Sequence, residues 1–477
     1  MNRKQKPKTK KSIEEKGIVR VTYIFLGLFV CLIGYIVYFM VCKSEDTINN
    51  SYNKRLDSFA DYVVRGDIKT SDGEVLAHTE VDNSGNETRV YPYDNVYAHV
   101  VGYASKGKTG LELQGNFYML NSNDNIFVQT YNDITGQKSQ GDNVVTTLDS
   151  TLQQVAYDAL GSNNGAVVVM EPDTGKILAM VSKPDYNPNT LASDWDAIIS
   201  DTTNSCLVNR ATQGLYPPGS TFKILTALEY MREHPDYANF TYDCDGTLLI
   251  DEYKIDCYNG NAHGSVDFAT AFAKSCNGAF ATMGTMLNAG SFNKLCSDML
   301  FNVDLPVSFE HNKSSFSFNT GAGTFDTMQT AIGQGKTQIT PLHNAIIASI
   351  IANDGVLMKP YLIDHIENCN GVTVKTFKQS EYGKIISENE ANELTTLMRG
   401  VVTEGTGQIL SYEDYEAAGK TGTAQYDSSE NDHSLFTGFA PASDPKIVVS
   451  VVVEGEGSDG TKGVAVAKAI FDAYFSR

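Results

Sequence analysis

The rhythm of apolar and polar residues changes along the chain and divides it before any motif is read. Residues 21–42 run without a charge and are rich in Ile, Leu, Phe, Val and Tyr. At about 1.5 Å per residue, such a helix crosses a hydrocarbon layer of roughly 30 Å. The run is longer than a leader's apolar core and ends in no small-residue cleavage site, so it predicts a retained transmembrane helix. Residues 43–148 are mixed and mostly polar. Strand-like runs occur at Arg89-Val90-Tyr91 and at 96–101, the latter broken by Gly102, and 121–125 reads as a loop. This stretch predicts a small β-rich spacer domain.

From 149 to 477 the texture is that of one larger domain. Asp149 or Ser150 caps a helix ending at Leu160. Two apolar runs, 166–170 and 176–181, flank Asp173-Thr174-Gly175 as a hairpin. Ile224, Leu225, Ala227, Leu228 and Met231 continue a buried helix after Lys223. Ser387 with Glu390 forms a capping box for a helix to about Val402. Strands are expected at 415–425, 433–440 and 447–453, and a last helix at 464–475. Strands at both ends with helices between predict an α+β domain, whose antiparallel sheet is built from the two termini of the segment.

Charge separates the two sides of the apolar helix. The first 20 residues hold eight basic and two acidic side chains, a net of +6, so the rest carries −26 within the whole-chain −20. The basic flank keeps the N-terminus cytoplasmic and places everything after the helix outside. So acidic an outer part repels phosphates and excludes nucleic acid as a partner. Six cysteines (206, 244, 257, 276, 296, 369) follow the helix. They show no C-x-x-C and no Cys/His cluster with zinc spacing, so no structural metal is expected. Cys244 and Cys257 bracket a short segment, and both a disulfide and two free thiols are open.

Three short motifs carry the chemistry. Ser220-Thr221-Phe222-Lys223 follows a Tyr216-Pro217-Pro218-Gly219 corner, Ser275-Cys276-Asn277 lies downstream, and Lys420-Thr421-Gly422-Thr423 falls in a strand candidate. Each expression also matches elsewhere by chance, as at Ser105 to Lys108, Ser162-Asn163-Asn164 and Lys108-Thr109-Gly110. Only the 220/275/420 set has an apolar helix, an apolar lead-in and a strand in the right places.

Ser220 at a helix start gains from the positive end of the dipole. Lys223, three residues on, can reach its hydroxyl and acts as base once desolvation or a neighbouring charge, Lys420, lowers its pKa. Asn277 can bond Lys223 or a substrate amide, and Ser275 can relay a proton. Gly422 leaves the strand edge open to an extended peptide. The N–H groups of Ser220 and Thr423 are the expected oxyanion donors, and Thr421 and Thr423 hydroxyls beside Lys420 suit a carboxylate. A rival, Gly102 to Thr109, fits the phosphate-loop expression in full but lacks alternating strands and helices around it.

Together these residues resemble the class B, monofunctional penicillin-binding proteins. The similarity extends to Arg65-Gly66, Ile68, Gly73 and Leu76-Ala77, to Gly110-Leu111-Glu112, and to Asn209-Arg210-Ala211. It continues through Gly333-Gln334-Gly335 with Thr340-Pro341 and the Phe436 to Pro441 run. The resemblance implies the penicillin-binding serine transpeptidase fold, with helices on both sheet faces and a mostly helical part. It implies a Ser220 acyl-enzyme with D-Ala-D-Ala stem peptides, inhibition by β-lactams, no cofactor, and a glycan polymerase of the SEDS family as membrane partner. A DD-carboxypeptidase, a class D-like β-lactamase or sensor, and a silent scaffold share parts of the pattern. Thr70 and Leu435 depart from it, standing where relatives carry Asp and Trp.

Overall fold

The computed structural model describes residues 10–42, 56–250, 252–319, 321, 323–424, 432–455 and 460–476. The chain divides into two units, Met1–Phe59 and Ala60–Arg477. Among its described residues the first contains the helix α1 (Lys10–Cys42). Its Gly17–Met40 stretch is long and apolar enough to cross a membrane, and its side chains are exposed.

The second unit begins with short strands. β1 (Ile68–Lys69), β2 (Val75–Val81), β3 (Glu87–Val90) and β4 (Asn143–Thr146) belong to one six-stranded sheet. Two strands from far downstream, Ile363–Glu367 and Thr373–Thr376, complete it beyond β4. Thr70 makes the turn between β1 and β2, accepting the Glu74 N–H on its hydroxyl at 2.9 Å, so the departure from Asp keeps the turn contact.

Under this sheet the two spacer motifs meet. Arg65 donates to Glu112 at 2.7 Å and to Asn116 at 2.5 Å, and Arg89 donates to the other Glu112 oxygen at 2.7 Å. Burial alone would raise the Glu112 carboxyl, but the two guanidiniums outweigh it and hold it at about 2.

The 96–101 run is not a strand. It forms a 3-10 turn, Asp94–Tyr97, and one helical turn, Ala98–Val101, with all four residues of that turn buried. Four to six apolar residues fit a buried helical turn as well as a strand, and packing decides. Residues 102–109 therefore follow a helix, and the strand–loop–helix of a phosphate loop is not formed.

The larger part is built as the patterning predicts. Asp149 caps α2 (Ser150–Leu160), accepting from Leu152 N. β5 (Gly165–Met170) and β6 (Ile177–Lys183) form the hairpin. After α3 (Lys223–Glu233), α4 (Asn277–Gly284), α5 (Pro341–Ala352) and α6 (Glu388–Thr403), the chain returns in β7 (Ala418–Ala424), β8 (His433–Ala440) and β9 (Ile447–Val453). It closes with α7 (Lys462–Phe475). The antiparallel order is β7-β8-β9-β5-β6, so the last three strands pair with the first two and β7 is an edge.

Val167, Val169, Val449 and Val451 face α2 and α7, while Ala166, Val168 and Val448 face α5. Covered on both faces, β5 and β9 read as unbroken apolar runs. Each buried Val, Leu or Ile contributes about 1.5–3 kcal/mol. α5 is buried at every residue, as an all-round apolar helix must be.

Candidate active site

The corner before Ser220 depends on two glycines. Gly219 has φ +52°, and a Cβ there would collide with the Thr423 carbonyl oxygen of β7. Its N–H donates to Gly333 O at 2.9 Å, and Gly333, at φ +77°, likewise has no room for a Cβ against Gly219 O. Together they press the 3-10 turn Gly219–Phe222 onto the sheet edge, with Ser220 at its start and α3 continuing directly from it.

Lys223 opens α3 and is fully buried. Its Nζ lies 2.6 Å from Asn277 Oδ1, 2.7 Å from Ser275 O and 3.2 Å from Ser275 Oγ. Its hydrogen bonds thus go to Ser275 and Asn277 rather than to the Ser220 hydroxyl that the three-residue spacing points to. Lys420, equally buried on β7, reaches the same Ser275 Oγ at 2.9 Å and Thr421 O at 3.2 Å.

Ser275 stands at a sharp corner between the helix Phe268–Ala273 and α4, with φ +57°. A non-glycine residue there costs about 1 kcal/mol or more. The corner is closed by Ser275 N to Phe272 O at 3.1 Å and Cys276 N to Ala271 O at 2.9 Å. Asn277 is oriented by its Nδ2, which donates to Asp256 O at 2.8 Å.

Burial pushes the Lys223 amine down to about 8. Burial first, and then repulsion from Lys223, pushes Lys420 well below the ordinary lysine value. The repulsion therefore acts on Lys420, and desolvation rather than Lys420's charge depresses Lys223. A neutral amine has two N–H groups and one lone pair. With both hydrogens on Asn277 Oδ1 and Ser275 O, the Lys223 lone pair is left for a hydroxyl proton.

Ser220, Ser275, Asn277, Thr421 and Thr423 all line one cavity of about 800 Å³. Gly422 is absent from that lining. A Cβ there would come within 3.0–3.2 Å of Thr221, Pro218 and Leu435, so this glycine lets the Ser220 turn approach β7. The open edge comes from the strand order instead.

Residues 165–476 match the model of the penicillin-binding protein transpeptidase domain, and residues 65–144 that of the penicillin-binding protein A dimerisation domain. The chain belongs to the penicillin-binding protein transpeptidase family. It is 33% identical to the peptidoglycan D,D-transpeptidase PbpA of Mycolicibacterium smegmatis, over 92% of this chain and 93% of that protein. The penicillin G acyl-enzyme complex of penicillin-binding protein A from M. tuberculosis superposes with TM-score 0.77 at 30% identity, over 86% of this chain and 99% of that one. The D,D-transpeptidase domain of a peptidoglycan glycosyltransferase from Eggerthella lenta superposes equally, at 31% identity over 86% and 98%.

Within this penicillin-binding protein, three contacts were not legible in the motifs. The Thr421 hydroxyl is hydrogen-bonded to Thr406 at 2.5 Å, which leaves Thr423, half-buried, as the freer hydroxyl of the pair. The signal for Thr406 is its place between Gly405 and Gly407, where Gly405 has no room for a Cβ against Ala273 O. Gln334 Nε2 lies 3.5 Å from Thr423 O. Asp256 contributes only its carbonyl, which no side-chain pattern announces.

The fold also gathers four side chains whose spacing along the chain announces no cluster. Cys244, Cys257, His263 and Cys276 bring their ligand atoms within 4.8 Å of one another, although their spacing fits no zinc motif. Cys244 and Cys257 are free thiols, with sulfurs 3.6 Å apart.

Proposed function

We infer that this chain is a serine D,D-transpeptidase that cross-links peptidoglycan through an acyl-enzyme on Ser220, and that β-lactams acylate the same oxygen. The observation that carries the reading is the Ser275 hydroxyl shared between two buried amines, beside Ser220 at a free strand edge. Ser220 Oγ attacks the carbonyl of the penultimate D-Ala, and its proton passes to the neutral Lys223 amine. The N–H groups of Ser220 and Thr423 hold the developing oxyanion, each such donor contributing about 3 kcal/mol. The proton returns through Ser275 Oγ to the nitrogen of the departing D-Ala as the C–N bond breaks. An amine of a neighbouring stem then attacks the ester, gives up its proton by the same route, and releases Ser220. The Thr423 hydroxyl, beside Lys420, holds the substrate carboxylate. The free edge of β7 receives the stem peptide as an added strand.

The N-terminal 20 residues lie in the cytoplasm, α1 spans the membrane once, and the unit from residue 60 onward works outside. The basic flank ahead of α1 supports this orientation. Residues 43–148 serve as spacer and 149–477 as the acyl-transfer domain. A SEDS-family glycan polymerase is the membrane partner that the family resemblance supports.

Intact mass of the full chain with and without penicillin tests the chemistry, alongside Ser220→Ala. A lasting single adduct that the variant lacks is expected. Transient labelling with penicillin consumed would instead make the protein a β-lactamase.

A further inference from the structure

One helix of the spacer is built inside out. The helix Ile126–Thr135 is capped by Asn125, whose side chain accepts the Phe127 N–H. Phe127, Tyr131 and Ile134 recur at i, i+4 and i+7 and so share one face. In a globular protein such a stripe packs on the core. Here the three side chains are 80%, 61% and 80% exposed, and Val128 is exposed as well. The opposite, polar face holds the helix down. Gln129 donates to the carbonyls of Ser122 and Asp124, each at 2.9 Å, and Asn132 donates to Ser139 Oγ at 3.3 Å.

An outward apolar stripe marks a docking surface, and its place in the chain indicates the occupant. Ser139, which takes the Asn132 bond, also donates its N–H to the Tyr62 carbonyl at 3.0 Å, and the Tyr62 ring is exposed. Tyr62 directly follows the 3-10 turn Leu56–Asp61, and 13 residues separate that turn from the end of α1 at Cys42. At about 3.5 Å per residue they reach at most about 45 Å. The bilayer that holds α1 is therefore always near, at an effective concentration on the order of millimolar. A surface tethered so closely needs only weak affinity. The stripe also has the make-up of an interfacial helix, with aromatic and aliphatic side chains and no charge among them.

We propose that the helix Ile126–Thr135 lies on the lipid bilayer, with Phe127, Tyr131 and Ile134 dipped into the boundary between headgroups and acyl chains, as a second membrane contact besides α1. Such a helix buries its apolar face about 5–10 Å into that boundary. Tyr131 suits the depth, since its ring is apolar and its hydroxyl stays at headgroup level. One short interfacial helix binds only marginally alone, and α1 supplies the second anchor that a lasting contact requires. A second copy or a partner protein would have to be recruited to the stripe, whereas the chain is already fixed to the bilayer. The inference rests on α1 spanning the membrane, not on the acyl-transfer chemistry, and holds whichever way α1 points.

Tryptophan fluorescence of the full chain in vesicles reads the contact. Trp195 is the only tryptophan, so Phe127→Trp adds one reporter on the stripe and the unaltered chain supplies the background. The protein is reconstituted into vesicles of phosphatidylcholine and phosphatidylglycerol, with and without brominated acyl chains. The added emission should be blue-shifted, quenched by the brominated lipid and protected from aqueous acrylamide. Tyr131→Trp reports from the same stripe if the first variant folds poorly. A reporter open to acrylamide and untouched by brominated lipid overturns the proposal and leaves the stripe to a partner protein absent from the vesicles. A reporter shielded from both quenchers overturns it in favour of a second copy. Protein that fails to float with the vesicles overturns its premise, the insertion of α1. Penicillin labelling of the same samples checks the acyl-transfer reading separately, so that failure of one is told apart from failure of the other.

Discussion

Lys223 shows how a single burial sets a working pH. Its amine, pushed down to about 8 by desolvation, is a base only when neutral. The neutral fraction rises with pH, from about a tenth at pH 7 to about nine-tenths at pH 9, so penicillin acylation should rise roughly tenfold over that interval and level off above it. A stopped-flow pH profile checks this, and a rate that stays flat across pH 8 would remove Lys223 as the base. Lys223→Ala should abolish labelling while thermal unfolding stays cooperative. The stability consequence has the same sign. Between about 8 and the ordinary lysine value the unfolded chain binds more protons than the folded one, so stability rises with pH through that window. Much of this residue-level arrangement was legible, because S-x-x-K, S-x-N and K-T-G name the residues that meet. The partner of Lys223 was not. Spacing along a helix points to Ser220, whereas the hydrogen bonds go across to a corner 52 residues away.

Among elements, contacts that no local pattern reports decide the outcome. The hairpin 165–183, the capping box at Ser387 and Glu390, and the last strands and helix were all readable, since their periodicity and caps agree with their burial. The grouping of Cys244, Cys257, His263 and Cys276 was not, because two antiparallel strand pairs and the cap of α4, rather than one local run, bring them together. Nor was the clasp of Arg65, Arg89 and Glu112, whose halves lie 47 residues apart. Glu112→Ala leaves the buried Arg65 and the half-buried Arg89 guanidiniums without their carboxylate and should cost about 3–5 kcal/mol. The melting temperature should drop while Ser220 still labels at low temperature, and a surface pair such as Lys294–Asp298 should matter by less than about 1 kcal/mol. Gly333→Ala strains a left-handed position by about 1 kcal/mol and drives a methyl group into Gly219 O. Its labelling rate should fall by more than its stability loss explains, and unchanged labelling would show that the Ser220 turn tolerates displacement.

For the molecule as a whole, the spacer and the acyl-transfer part share a sheet. Ile363–Glu367 pairs with β4, burying Ile366 beside Val144. A fragment of residues 149–477 would therefore expose that strand's edge and apolar face. It should aggregate on expression, whereas residues 60–477 should elute as a folded species in size-exclusion chromatography; a soluble, penicillin-labelling 149–477 fragment would refute this. The pairing of β5 with β9 has a further consequence, one of timing. At roughly 5–20 residues per second of synthesis, β5 waits on the order of 15–60 seconds for its partner strand to be made. Ser220 is translated early, but Lys420, the free edge of β7 and the sheet that supports them arrive last. A nascent chain thus carries its nucleophile unarmed, and an antibiotic present at the ribosome's pace finds nothing to acylate until the final strands are in place.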